Sequence, residues 1–398
     1  MMGVSVKFVF CLSLLWYPIG NDLSKSNSQY HINQMKTRIL TLALCSAIFV
    51  GSSAQDVRKQ TSMLFIGDMM QHTGQITAAF DTATNSYDYS DCFSHIKPIV
   101  QKTDVSVCNY EVTMGGKPYK GYPCFSAPDE YADEIHNLGF GVFLTANNHC
   151  LDKGQSGLER TISELQKRAI TQLGTYVDSI DRVNRYPVIV TSNGLRIALL
   201  NYTYGTNGLT PKGGNIVNYI DKPQILKDIA DAMKMEPDFI IANVHWGIEY
   251  QMEENDEQRS LGRWLIDHGV DHVIGGHPHV VQPIDIYTTP DGRKHLIVYS
   301  MGNVISNMSK YGTDGGIMVG LTLDNYAYNS TAEEAWYTIF HVGRPVNTKL
   351  KNYVVYPVGT SEDELPVTEK TRLDNYASLV RNVMEKGDKI TERSCTEW

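Results

Sequence analysis

The sequence contains no block of basic residues, and its 398 residues carry a formal net charge of −9. Proteins that bind nucleic acid rely on Lys and Arg to neutralise phosphates, so we expect no nucleic-acid partner. The sequence also lacks internal repeats and low-complexity tracts. Its 42% hydrophobic and 20% charged residues are typical of a globular protein that buries a sizeable core.

Cysteine is scarce, and its spacing matches no zinc motif. An odd number of cysteines leaves at least one thiol free. We therefore expect buried core cysteines, or a single optional disulfide if the protein is exported. Five cysteines follow residue 54, namely Cys92, Cys108, Cys124, Cys150 and Cys395.

The first 54 residues have the pattern of a targeting segment. After Met35, the basic residues Lys36 and Arg38 precede a short apolar run and small residues ending at Ala54, as in a signal peptide. The apolar run is too short for a comfortable membrane span. We interpret residues 1–54 as a leader with its true start at Met35, the alternative being a tandem targeting segment or a short anchor. This predicts export to the periplasm or surface of a bacterium.

From Thr61 onward, apolar β-branched runs end in small or polar clusters, and helix-like segments follow them. Continuous apolar runs indicate strands covered on both faces, as in α/β layers. After Asn325, two segments predict antiparallel strands that complete a sheet. The helices that we predict span residues 128–138, 157–168, 223–235, 256–267 and, closing the chain, 373–385.

This pattern predicts one α/β domain over residues 55–360, followed by a C-terminal helical extension over residues 361–398. The glycine-rich segment 203–215 lies between predicted elements. Such segments form surface loops, and we expect this one to cover a site.

Polar side chains with metal-binding chemistry follow the predicted strands at their carboxyl ends. In open α/β sheets, ligands bind at that edge. Each residue alone has an ordinary explanation, such as a turn, a helix cap or a core hydrogen bond, but the same kind of strand end recurs along the chain. Oxygen and imidazole groups suit divalent transition metals, so we predict one clustered metal site. The strand ends carry Asp68, Asn109, Glu111, Asn147, Asn148, His149, His245, His277, His279 and Asn303.

Two of these histidines flank Pro278. A residue before proline is disfavoured in the helical region, so we expect His277 to be extended. Residues two apart in an extended segment point to the same side, and His277 and His279 should therefore both face the site. The preceding Gly275 and Gly276 would let the backbone come close to it.

The motifs GDMM, NYE, LTANNHCLDKG, NVHWGIEY, IGGHPHVVQP and YSMGN occur in the order seen in a known family. The sequence resembles the bacterial capsule-synthesis CapA family, also described as poly-γ-glutamate biosynthesis proteins, over roughly residues 62–325. That family belongs to the calcineurin-like metallophosphoesterase superfamily. The resemblance implies a four-layer αββα sandwich with one or two divalent ions (Mn, Zn, Fe or Mg) at one edge.

The resemblance also implies roles for single residues. It makes Asp68 the bridging carboxylate and His149 an acid–base or transition-state partner. Asp152 would orient His149, the alternative being a helix cap. The implied metal ligands are Asp68, Asn109, Glu111, Asn148, His245, His277 and His279.

One position departs from the superfamily pattern. Its first motif is Asp-x-His, but the third residue here is Met70, a poor ligand for hard metals. A dinuclear centre would therefore lack one ligand. His72 would substitute for it if the segment from Asp68 is helical, because residues i and i+4 share a helix face. A surface or cap role is the alternative for His72.

The resemblance implies an exported metal-dependent enzyme that acts on a γ-glutamyl polymer or peptide of the cell envelope, by hydrolysis or by transfer. The alternatives are a general exported metallophosphoesterase and a non-catalytic accessory protein that handles the polymer. Either enzymatic substrate is anionic, so we expect Arg344 and Lys212 to contact it. Asn303 would also contact the substrate unless it serves only a turn. The implied partners are the anionic polymer and membrane proteins of capsule synthesis.

Overall fold

The computed structural model describes residues 58–397, so the predicted leader lies outside the described residues. This part of the chain forms nineteen strands, ten α-helices and one 3₁₀ helix (Cys395–Glu397). The strands are β1 (Gln60–Met69), β2 (Phe80–Asp81), β3 (Ser86–Tyr87), β4 (Val105–Tyr110), β5 (Val142–Leu144), β6 (Thr171–Leu173), β7 (Thr175–Tyr176), β8 (Val188–Ser192), β9 (Leu195–Thr203), β10 (Ile216–Val217), β11 (Phe239–His245), β12 (His272–Gly276), β13 (Ile284–Thr288), β14 (Lys294–Val298), β15 (Asn303–Ile305), β16 (Gly315–Asp324), β17 (Trp336–Gly343), β18 (Val354–Pro357) and β19 (Thr391–Glu392). The helices are α1 (Thr73–Ala79), α2 (Lys97–Gln101), α3 (Asp129–Leu138), α4 (Gly154–Lys167), α5 (Ser179–Arg185), α6 (Lys222–Lys234), α7 (Asp256–Asp267), α8 (Tyr328–Glu333), α9 (Pro345–Thr348) and α10 (Val367–Met384).

Two mixed sheets carry most of the strands. The first sheet has the order β18-β17-β16-β1-β4-β5-β6, with β15 beside β1 and β19 beside β17. The second sheet has the order β13-β14-β12-β11-β9-β8. Strands β1, β4, β5 and β6 are parallel in the first sheet, as are β9, β11, β12 and β14 in the second. Each sheet therefore has one edge at which several strands end at their carboxyl termini.

The sheets pack face to face between two layers of helices. Met63 and Phe65 of β1 share a core cluster with Ile241 of β11, which lies in the second sheet. Because side chains alternate along a strand, Leu64 of β1 faces the other way, in a second cluster with Ile135 of α3. Helices α6 and α7 pack their apolar residues on the second sheet. The predicted four-layer αββα arrangement is confirmed.

The predicted helices are present. The four internal helices, α3, α4, α6 and α7, have ends within three residues of the predicted ones. The closing helix α10 begins earlier than predicted, at Val367 directly after Pro366, and its first turns lack the apolar periodicity by which a helix is recognised in a sequence. Tyr376 and Val380 of α10 join the main core, and β19 pairs with β17. The described part of the C-terminal extension is thus integrated into the domain.

The five cysteines after residue 54 are all free thiols in the described structure. Cys92, Cys108 and Cys150 are buried, as expected for core residues, and the optional disulfide is not formed. No helix within residues 58–397 is both long enough and apolar enough to cross a membrane.

Gly320 provides a test of the packing between β16 and β17. Gly320 pairs with Trp336, and a Cβ atom at position 320 would overlap the indole ring. We expect Gly320→Ala to lower the free energy of unfolding by about 1–3 kcal/mol, the usual cost of overpacking. The measurement is urea denaturation of the purified protein.

The matched control is Gly141→Ala, because a Cβ atom there meets nothing within 4 Å. This change should leave the free energy of unfolding unaltered or raise it by about 0.4–1 kcal/mol, because alanine lowers the conformational entropy of the unfolded chain. An equal loss in both variants would contradict the assigned contact between β16 and β17.

Candidate metal centre

The two sheets bring their carboxyl-terminal strand ends together, and polar side chains converge there. Asp68 lies near the end of β1, and Glu111 directly follows β4. From the second sheet, His245 is the last residue of β11, while His277 directly follows β12. Residues from distant parts of the chain therefore surround one buried space between the sheets, as the sequence predicts.

The centre of this space holds two fully buried carboxyl groups, those of Asp68 and Glu111. The amide nitrogen of Asn109 donates to Asp68 Oδ1 at 2.7 Å and lies 3.4 Å from Glu111 Oε2. Within residues 58–397, neither carboxyl group forms an ion pair with Lys or Arg. Glu111 Oε1 has no hydrogen-bond partner at all. Burying a charge without a partner is costly, so this pair has a strong demand for a cation.

The pKa values of the two carboxyl groups are shifted in opposite directions. Burial favours the neutral form of Asp68, but the hydrogen bond and charge of His279 outweigh it and lower the pKa of Asp68. Burial and the charge of Asp68 raise the pKa of Glu111 well above its usual range. This is the behaviour of two carboxylates that share one site, and a shared cation would favour the charged form of both.

Imidazole rings face the carboxyl pair. His279 Nδ1 lies 3.0 Å from Asp68 Oδ2, and His245 Nε2 lies 3.6 Å from Glu111 Oε1. Burial, more than any other factor, lowers the pKa of His245 well below its usual range. It also lowers the pKa of His277, to about 3. Both rings are therefore held neutral, which is the form that binds metals. The buried His277 Nδ1 has no hydrogen-bond partner.

These side chains form two overlapping groups of possible ligands. Asp68, Glu111 and His245 make one group, and Glu111, His277 and His279 make the other, with the ligand atoms of each within 4.8 Å of one another. Mixed carboxylate and imidazole ligands fit a divalent transition metal. The residue common to both groups is Glu111, whereas the resemblance assigned the bridging role to Asp68.

The backbone of the histidine pair differs from the prediction. The φ angles of His277 and His279 are +102° and +59°, so the prediction of an extended His277 is wrong. The chain turns here, and Pro278 accepts a hydrogen bond from the backbone of Tyr250 at 2.8 Å. Both rings nevertheless reach the site, since the rings of His277 and His245 are 4.7 Å apart. Positive φ at a non-glycine residue costs about 1–3 kcal/mol and is common at functional sites.

The two glycines before this turn act as predicted. A Cβ atom on Gly276 would lie 3.0 Å from Asp68 Oδ1, and one on Gly275 would overlap the backbone of Tyr299. The absence of side chains here lets β12 approach the carboxyl pair.

The asparagines orient the proposed ligands. Both ends of the Asn109 side chain form hydrogen bonds. Its nitrogen donates to Asp68 Oδ1, and its oxygen accepts from Asn147 Nδ2 at 3.4 Å. Asn148 Oδ1 lies 3.0 Å from His245 Nε2, so these two atoms point to the same space. Asn303 is buried, with Oδ1 at 3.1 Å from His279 Nδ1 and Nδ2 donating to the carbonyl of Thr313. Asn303 therefore contacts both His279 and the backbone of Thr313, and its contact with substrate stays a prediction.

His149 and Asp152 form a pair beside the carboxyl groups. His149 Nδ1 lies 2.8 Å from Asp152 Oδ2, which also accepts from the backbone nitrogen of Phe125 at 2.7 Å. The edge of the Phe125 ring packs on His149. Asp152 thus orients His149, and helix α4 begins after Lys153 without a side-chain cap.

The helical segment that would let His72 act as a substitute ligand beside Asp68 is not formed. Asp68 lies in strand β1, and His72 precedes helix α1, so the two residues do not share a helix face. The His72 ring contacts Gln75 Oε1 at 3.2 Å and the backbone nitrogen of Asn307 at 3.3 Å. Burial lowers the pKa of His72 to about 4. Met70 is buried in the core and offers no replacement.

The two predicted substrate cations lie in different surroundings. Lys212 is exposed on the loop 203–215, and no contact joins its side chain to the carboxyl pair. Arg344 is half-buried and donates to the carbonyl oxygen of Met308. Arg344 lines a separate cleft, described below.

Two tyrosines and a lysine near the site were not predicted from the sequence. The Tyr204 ring packs 4.5 Å from the His277 ring, and Tyr250 lies 6.2 Å from His279. Tyr204 belongs to the loop 203–215, so the prediction that this loop covers a site contained the signal. Lys310 Nζ lies 3.8 Å from the centre of the Tyr250 ring. No sequence pattern singles out Lys310.

Comparison with known proteins identifies relatives. The profile of the family described as "Bacterial capsule synthesis protein PGA_cap" matches residues 62–308. The chain is 28% identical to the capsule biosynthesis protein CapA of Bacillus anthracis over 262 residues, covering 62% of this chain and 60% of the relative. It is 29% identical to the PGA biosynthesis protein CapA of Bacillus subtilis over 253 residues, covering 61% and 63%. The chain thus spans about six tenths of the length of these relatives.

A likeness to solved structures is more distant. The calcineurin-like phosphoesterase YfkN from Bacillus subtilis aligns with 82% of this chain and 100% of its own, at 14% identity and a TM-score of 0.39.

Loss of a proposed ligand should reduce metal binding. We expect Glu111→Gln and His277→Ala to weaken the binding of Mn²⁺ or Zn²⁺ at least about tenfold, because even outer-shell partners have effects of that size. Metal per chain after dialysis is measured by elemental analysis. The control is His268→Ala, because His268 is exposed and bonds only to the backbone of its own helix. Unchanged metal content in both ligand variants would show that these residues do not form the site.

Proposed function

Because the chain belongs to the family of bacterial capsule synthesis proteins described as PGA_cap, we propose that it is an exported metal-dependent hydrolase or transferase. Its proposed substrate is a γ-glutamyl polymer of the cell envelope. The observation that carries the metal-dependent part is the convergence of two buried carboxyl groups with three imidazoles. Export is inferred from the leader pattern of residues 1–54 alone.

Asp68, Glu111 and the three histidines would hold the ion, with Asn148 beside His245 as a further oxygen ligand. When bound, a divalent ion would polarise the attacked carbonyl group and lower the pKa of the attacking water. Asn109 and Asn303 keep the ligands in place through the contacts described above.

His149 would move the proton of the reaction. Asp152 accepts from His149 Nδ1, so the imidazole is fixed in orientation and its Nε2 is left for the substrate. In this position a protonated His149 donates from Nε2 to the leaving amine nitrogen as the amide bond breaks. Phe125 supports the pair, with its backbone nitrogen on Asp152 and its ring against His149.

The names of the relatives support the proposed substrate class. Two of them are described as a capsule biosynthesis protein and a PGA biosynthesis protein, and the matched region includes every proposed ligand. The same metal chemistry would also cleave phosphodiesters, and a metal-stabilised accessory protein would need no catalysis. The experiment below separates these functions.

The purified protein, loaded with Mn²⁺ or Zn²⁺, is offered a γ-glutamyl polymer and a chromogenic phosphodiester in parallel. We expect the polymer to be shortened or transferred to an added amine acceptor, and chelation with EDTA to abolish the reaction. Product length is followed by gel electrophoresis and new amine termini by a colorimetric assay. Activity on the phosphodiester alone would replace the proposed substrate, and activity on neither would favour the accessory role.

Replacing His149 tests the proposed proton transfer. We expect His149→Ala to lower kcat by about 100-fold or more, in the range of general acid–base catalysis, while metal per chain stays near that of the unaltered protein. Asp152→Asn should give a smaller loss of kcat with metal retained. His268→Ala again serves as the control. Equal loss of metal and activity in His149→Ala would make His149 a ligand.

A further inference from the structure

A second polar cleft of about 600 Å³ opens beside the metal centre. One wall is the loop 309–314 between β15 and β16. The other walls come from the end of β17, from the following Arg344 and from helix α10, which contributes Arg372. Lys310 lies on the loop at the mouth of this cleft.

The loop 309–314 belongs to both the cleft and the metal centre. The carbonyl oxygen of Thr313, in the loop, accepts from Asn303 Nδ2 at 2.9 Å, and Asn303 Oδ1 lies 3.1 Å from His279 Nδ1. Lys310 covers the ring of Tyr250, which in turn packs toward His279. Tyr250 therefore contacts both Lys310, which lines the cleft, and the ring of His279.

The cleft is lined by cations, although the whole chain is acidic. Lys310, Arg344 and Arg372 line it, and Asp314 is the one acid among the lining residues. Asp314 is already paired with His341, at 3.4 Å.

The positive charge of the cleft is only partly compensated. Arg372 lies 3.6 Å from Glu369, which is buried behind the cleft wall and also faces His341. In the described part of the chain, Lys310 and Arg344 form no close ion pair with an acid, although the charge of Arg344 also acts on Asp314. Two cations are therefore available to a ligand in a chain whose formal net charge is −9.

We propose that this cleft is an anion-binding subsite that holds carboxylate groups of the polymer away from the bond that reacts. The identity of the anion rests on the proposed function, while the subsite itself rests on the cleft and its cations. Arg344 can bind a carboxylate through two parallel hydrogen bonds, and Lys310 supplies a mobile point charge at the mouth. The subsite would make the protein prefer a long polyanion over a single glutamyl unit.

The test is a binding measurement that needs no catalysis. A fluorescein-labelled γ-linked oligoglutamate is titrated with the purified full chain in EDTA, and fluorescence anisotropy reports the Kd. We expect Lys310→Gln and Arg344→Gln each to raise the Kd about tenfold, the size of effect of a lost charged hydrogen bond. Binding should also weaken as salt is added. The matched control, Lys102→Gln with Lys234→Gln, removes two exposed cations outside the cleft and should leave the Kd unchanged.

Lys310→Gln carries the test if Arg344→Gln does not fold, because Lys310 is exposed and its side chain supports no structural hydrogen bond in the described chain. A Kd unchanged in Lys310→Gln, or raised equally in the control, would overturn the subsite. If inorganic polyphosphate binds through the same residues more tightly than the oligoglutamate does, the assignment of the subsite to carboxylates is overturned. Loss of binding in the cleft variants supports the subsite even if the polymer is never cleaved. Failure of the subsite and failure of the proposed function are therefore distinguishable.

Discussion

Repulsion between two buried carboxyl groups is the constraint on which the site depends. Asp68 and Glu111 are both fully buried, and Asn109 bridges them through its amide nitrogen. Burial keeps His245 and His277 neutral, so these rings offer lone pairs and no positive charge. Glu111 would lose its proton readily here only beside a cation, and the possible ligand atoms lie within 4.8 Å of one another, close enough to hold one.

The fold places the two carboxyl groups close together and keeps them there. Each carboxyl group comes from a central parallel strand of the first sheet, and the imidazoles come from the second sheet. Since the sheets share one apolar core, the strand ends cannot separate without exposing it. The positive φ angles of His277 and His279 are held in the same way, by packing around the turn. Folding energy of the core thus stabilises a site that is unfavourable by itself.

In the proposed function, the candidate metal centre would carry out the chemistry and the cationic cleft would recognise the substrate. His149 and Asp152 lie beside the carboxyl pair, where bond breaking would occur. The cleft, with Arg344 and Lys310, is suited to anionic groups that do not react. Asn303 links the two, because it contacts both His279 and the loop that forms the cleft wall. The loop and the imidazole of His279, a proposed metal ligand, are therefore linked through the side chain of Asn303.

The local pattern of the sequence predicted covered strands with a cluster of polar residues at their ends, and the resemblance to the CapA family implied the four layers. Unbroken apolar runs predicted covered strands, and the polar residues at their ends predicted Asp68, Glu111 and the three histidines, because strand ends and ligand chemistry are local properties. The tertiary structure decided the rest. Glu111 as the shared carboxylate, Asn303 as a support for His279 and Lys310 at the cleft all depend on distances between residues far apart in the chain. The turn at His277 shows the same limit, since its φ of +102° departs from the extended conformation that a following proline favours.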